Sequence, residues 1–203
     1  MIDVDFSLVG FEYFLLIFAR IASFMYTAPV FGQTAVPTRT RIGLSFFAAA
    51  VLYNVVEQVP LEYESVFVFG VLVVKEVLTG ALIGFAANIC SYIVLFSGTI
   101  IDMDIGLSMV TEFNPEMNLE VSITGNIYSY FVTLLLISSN MHTYVLRAAS
   151  DSFKLVPVAG AEFQWDMLLN SIIRYIGDLF MIGFRIFVLP AMIFSTVRWF
   201  GND

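Results

Sequence analysis

Residues 66–101 read VFVFGVLVVKEVLTGALIGFAANICSYIVLFSGTII, an apolar run interrupted only by the neighbouring Lys75 and Glu76. A helix crosses a bilayer core with about 20 apolar residues, so this run exceeds one upright crossing. It reads either as one long tilted helix or as two short helices in a hairpin. The rest of the chain points to the same surroundings. With 59% hydrophobic and 13% charged residues and a mean hydropathy of +0.88, there is too little polar surface to cover a soluble globule. The expected fold class is therefore an all-α integral membrane protein.

Four more stretches come close to membrane-helix length. Val9–Tyr26 ends at Pro29; Ile42–Val56 is short and ends before the acidic segment Glu57–Glu64; Ile123–Ser139 precedes Asn140-Met141-His142; and Met167–Phe200 contains Pro190, expected to kink or end a helix. No linker, repeat or composition shift divides the chain, which reads as one module over 1–203. Met1-Ile2-Asp3-Val4-Asp5 is acidic where a cleavable secretory signal is basic, so the first apolar helix is expected to stay in the mature chain.

The net charge of −8 argues against docking on nucleic acid or anionic lipid. Topology by the positive-inside rule is inconsistent. Arg39 and Arg41 place the first loop in the cytoplasm, whereas Asp102–Glu120 carries five acids and no base. Charges inside the apolar stretches each cost a few kcal/mol at mid-bilayer unless paired or wet. Glu12 and Arg20 fall in the first stretch, and Arg174, Asp178 and Arg185 in the last. The latter three share one helical stripe, on which Arg174 and Asp178 are spaced to pair. Lys75 and Glu76 point about 100° apart, so each needs a partner on another segment or subunit. Two readings stand for these charges: structural ion pairs in a packed bundle, or a proton or ion path.

Gly80, Gly84, Ala87, Ser91 and Gly98 form a stripe of small residues that begins with a G-x-x-x-G. Such a stripe lets helix backbones approach closely, within the chain or across an oligomer. Residues 98–115, GTIIDMDIGLSMVTEFNP, read as an acidic loop with apolar handles, and their methionines are suited to a soft, displaceable seal. Cys90 lies in an apolar run and reads as a buried small hydrophobe. His142 has no second His or nearby Cys and reads as a structural group at a helix end. No pair is spaced like a metal site or a hydrolytic dyad.

The segment from Phe18 to Leu44 carries Arg20, then Thr27-Ala28-Pro29-Val30-Phe31-Gly32, then Val36-Pro37-Thr38-Arg39-Thr40-Arg41-Ile42-Gly43-Leu44. With Lys75-Glu76, Gly80, Gly84, Gly98–Pro115 and Asn140–Arg147, it resembles the FliR family of flagellar and injectisome export-gate subunits, from about Phe14 to Pro190. The resemblance implies a nonenzymatic, cofactor-free, multi-pass subunit of the bacterial inner membrane and flagellar basal body. Its long hairpins would be inclined and partly lifted out of the bilayer plane. Its partners would be FliP-like and FliQ-like subunits, an FlhB-like switch protein and unfolded export substrates, with no nucleic acid. The loop at Val110–Leu119 would plug the closed pore, with Met109, Phe113 and Met117 sealing it beside Val110, Asn114 and Pro115. After Pro190 the family continues through another hydrophobic hairpin that this sequence does not match, so the resemblance implies a C-terminally shortened module. A different class also fits the charges: a small-solute transporter coupling through Glu12, Lys75, Glu76 or Asp178.

Overall fold

The computed structural model describes residues 8–29, 31–32, 36–56, 63, 65–107, 109, 111–114 and 119–200. Among the described residues six helices and one small hairpin follow in order: α1 (Leu8–Thr27), α2 (Thr38–Tyr53), α3 (Val66–Ile105), β1 (Thr111–Asn114), β2 (Leu119–Ser122), α4 (Ile123–Ser138), α5 (Met141–Leu155) and α6 (Trp165–Phe200). The chain is an all-α membrane protein with one β-hairpin added. Among the described residues two helices, α3 and α6, are long and apolar enough to cross a membrane.

Local chemistry accounts for most boundaries. α1 stops as the chain reaches Pro29, which lacks a donor and fixes φ. α2 starts after Pro37, whose carbonyl accepts from the Thr40 and Arg41 amides at 3.0 and 3.2 Å. Arg39 and Arg41, expected in a loop, thus lie in the first turn of a helix. α3 is one uninterrupted helix of 40 residues, which decides between the single-helix and hairpin readings. It also absorbs Gly98–Ile105, expected to be loop. α6 continues through Pro190 as a 36-residue helix, so the helix does not end there. α4 is capped by Ser122, whose hydroxyl accepts from the Gly125 amide at 3.2 Å. Asn140 then takes a left-handed φ of 55°, which Asn tolerates, and the chain turns into α5. That helix was not foreseen: only one of its faces is apolar, with Ala149 and Phe153 buried four residues apart.

The chain divides into two compact units, Met1–Ala87 with His142–Glu162 and Asn88–Met141 with Phe163–Asp203. In the first, Leu16, Ile17, Ile21, Phe24 and Met25 of α1 are buried against Ala49 of α2, Ala149 and Phe153 of α5, and Val158. Phe14 meets Phe46 edge-on at 5.3 Å. In the second, the later part of α3 buries Ile93, Leu95 and Ile101, and α6 buries Leu179. There the Ser97 hydroxyl donates to the Gly183 carbonyl at 3.0 Å, and Phe96 meets Phe180 edge-on at 5.1 Å.

Candidate functional site

The most buried charges in the first unit form a closed knot. The Arg20 guanidinium binds both carboxylate oxygens of Glu76, through Nε at 2.5 Å and Nη2 at 3.0 Å. The two side chains are 1% and 0% exposed. Burial is tolerated because nearly every remaining valence is filled. Arg20 Nη1 donates to the Val156 carbonyl at 2.8 Å and the Ser152 carbonyl at 3.4 Å, and Nη2 to the Pro157 carbonyl at 3.4 Å. The guanidinium also lies 4.3 Å from the centre of the Phe153 ring. Glu76 in turn accepts from the Ala159 amide at 2.9 Å, and Ala159 holds a left-handed φ of 65° in the tight turn that presents it. Bidentate geometry and full hydrogen bonding are the conditions under which such a pair survives in a low dielectric. The turn at 156–160 was not singled out in sequence, because carbonyls and amides carry no residue-type signal.

The other charges expected inside helices are arranged differently. Glu12 accepts a hydrogen bond from the Tyr63 phenol, which raises the Tyr63 pKa above 10.0, helped by burial and the carboxylate charge. Lys75 makes no ion pair among the described residues. Neither do Arg174, Asp178 and Arg185, all exposed on α6. The expected Arg174–Asp178 pair is not formed. With the base on the N-terminal side, an i,i+4 pair has the weaker orientation.

In the second unit the segment expected to be a loop forms an antiparallel hairpin, with Thr111 opposite Ser122 and Asn114 opposite Leu119. Its first strand is pinned. Asn114 is fully buried and its amide donates to Asn126 Oδ1 at 2.7 Å, while the Asn126 amide donates to Glu112 Oε2 at 3.0 Å. Asp102, near the end of α3, accepts from the backbone amide of Thr124 at 3.1 Å and from its hydroxyl. Asn114, which the resemblance grouped with the plug, is thus held in place by its hydrogen bond to Asn126. Met109 is 97% exposed and Phe113 56% exposed. Val110, Pro115 and Met117 lie outside the described residues. Sequence reasoning missed Asn126, Glu112 and Thr124. The visible signal was weak: an Asn in the first turn of an otherwise apolar helix.

The small-residue stripe packs within the chain. A Cβ at Gly80 would collide with the Arg20 carbonyl and the Ser23 hydroxyl, and one at Gly84 with the Thr27 hydroxyl and Phe24 carbonyl. Gly98 meets the backbone of Gly125 on α4 in the same way. Ala87 and Ser91 are half-buried between these contacts. Cys90 is exposed, not buried as expected, and its sulfur lies 3.1 Å from the Tyr175 hydroxyl. Among the described residues no three His, Cys, Asp or Glu side chains cluster as a metal site would require.

Residues 11–198 match the family model for bacterial export proteins, family 1. The chain is 29% identical over 178 residues to the flagellar biosynthetic protein FliR of Bacillus subtilis, covering 86% of this chain and 68% of that one. It is 28% identical to FliR of Buchnera aphidicola (Acyrthosiphon pisum strain), covering 86% and 66%. It is 25% identical to FliR of Escherichia coli K12, covering 85% and 65%. The matched region thus spans about two thirds of the length of these relatives. The chain belongs to the FliR family of bacterial export proteins and is membrane-associated.

Proposed function

We propose that this member of the bacterial export proteins is a nonenzymatic subunit of the flagellar protein-export gate in the bacterial inner membrane. Its helices form part of the channel wall, and residues 110–119 close the path for unfolded substrates until partners or substrate displace them. FliP-like and FliQ-like subunits complete the wall, and an FlhB-like protein acts beside it. The names of the relatives favour the flagellar branch. The observation that carries the plug role is the pinned hairpin. Its first strand, β1, is fastened to α4 by Asn114, Asn126 and Glu112, while Met109 and Phe113 are left exposed. A fastened strand with apolar side chains left in the open suits a seal that closes on something outside the hairpin.

Two measurements test this reading. Native mass spectrometry of the chain co-expressed with its FliP-like and FliQ-like neighbours should show one copy in a defined hetero-oligomer. Deleting residues 110–119 should make cells carrying that complex leaky to ions, and unchanged leakage in an assembled complex would reject the plug role.

A further inference from the structure

α6 has two faces of opposite character. At about 100° per residue, Leu179, Phe180 and Gly183 lie roughly opposite Arg174, Asp178, Met181 and Arg185. The first face is turned onto α3: a Cβ at Gly183 would come within 3.2 Å of Ser97 Oγ, and Phe180 packs on Phe96. The second face is therefore held outward, and all four of its residues are exposed. It carries two bases and one acid in a helix otherwise apolar enough to cross a membrane. Asp178 lies one turn from Arg174 and two turns from Arg185, about 10 Å away along the axis, so it can offset only the former. Arg185 is left with no acid on its own helix within reach. Among the described residues no acid elsewhere pairs with it either.

We propose that this outward face of α6 docks against an apolar membrane helix of a neighbouring subunit, and that the helix carries a carboxylate opposite Arg185. Lipid is a poor cover for the face, because an arginine this far inside an apolar helix demands a counter-charge or water. Charge complementarity selects the occupant, since the stripe carries a net positive charge and Arg is suited to bidentate carboxylate binding. The inference rests on the membrane-subunit reading above.

A photo-crosslinking amino acid placed at Met181 of the full chain in native host membranes tests it, with the same probe at Ile173 and Ile193 on the flanks of the stripe. The expected result is a single protein adduct at Met181 that maps beside a carboxylate in an apolar segment. Arg185→Leu should abolish that adduct and Arg185→Lys should keep it. The Ile173 and Ile193 adducts should be unchanged in both variants, showing that the helix still inserts. Should Arg185→Leu alter the flanking adducts as well, charge reversal decides. Arg185→Glu with the mapped carboxylate changed to Arg should restore the Met181 adduct, and failure to restore it overturns the proposal. Lipid adducts alone at Met181, an adduct within this chain, or a protein adduct indifferent to Arg185→Leu would each overturn it too. Co-purification of the FliP-like and FliQ-like subunits from the same membranes separates the two readings. An intact complex with only lipid at Met181 removes this docking face and leaves the export-gate reading standing. A charge-sensitive adduct without that complex does the reverse.

Discussion

Arg20 and Arg185 are both arginines inside apolar helices, and the chain treats them in opposite ways. Arg20 is enclosed by its own chain: a carboxylate from α3, three carbonyls around the 156–160 turn and the face of Phe153. Arg185 is exposed and makes no ion pair among the described residues. The first arrangement is internally complete and serves to join distant parts of the sequence. The second leaves its charge to be met from outside. In a hydrophobic chain, whether a charge is already satisfied therefore separates groups that hold the fold from groups available for assembly.

The largest effect that would break this contrast is at the knot. Glu76→Gln or Arg20→Met alone leaves one buried charge unmatched, and each should cost about 3–5 kcal/mol of stability. Denaturant or thermal unfolding of the chain in mild detergent measures it. The double change Arg20→Met with Glu76→Leu should recover most of the loss, because two apolar side chains need no partner. Arg185→Leu should leave the stability of the isolated chain unchanged within about 0.5 kcal/mol, as surface changes usually do. Equal losses at both arginines would erase the distinction.

A smaller effect is expected where backbones touch. Gly98→Ala puts a methyl into the backbone of Gly125, which has no flexible end to yield, and should cost about 1–3 kcal/mol. The same change at Gly70, a position inside α3 where nothing lies within 4 Å, should instead stabilise the chain by about 0.5–1 kcal/mol. Comparing the two by unfolding shows whether close approach or loss of glycine itself sets the cost.

How far these features could be read in advance depended on which atoms carry them. The helices other than α5 announce themselves through hydropathy, and Gly80, Gly84 and Gly98 announce close packing through their spacing, though not whether the partner is internal. The Arg20–Glu76 contact spans 56 positions, and nothing local in sequence joins them. Its remaining partners are main-chain groups of residues 152–159, which any sequence would supply. The hairpin was hidden for another reason: Thr111–Asn114 and Leu119–Ser122 are four residues each, too short to show alternation. α5 escaped because a half-polar helix is invisible to a search for long apolar runs. The charge stripe of α6 was legible in full, but its expected internal pair was not, since spacing permits Arg174 and Asp178 to meet without requiring it.

The finest test sits at Gly177, on α6 about 60° from the charge stripe. No atom lies within 4 Å of a Cβ built there, so Gly177→Ala should stabilise the isolated chain by about 0.5–1 kcal/mol through helix propensity. A neighbouring helix drawn to Arg185 would also pass close to Gly177, where a glycine admits near approach of backbones. The same substitution should then weaken the assembled complex while strengthening the chain alone. Unfolding in detergent measures the first effect and subunit retention in native mass spectrometry the second. Opposite signs would mean that the absent side chain serves an outside partner. Stabilisation in both states would mean that the face beside Arg185 is open on that flank, and the docking helix would have to lie toward Ile182 and Leu189.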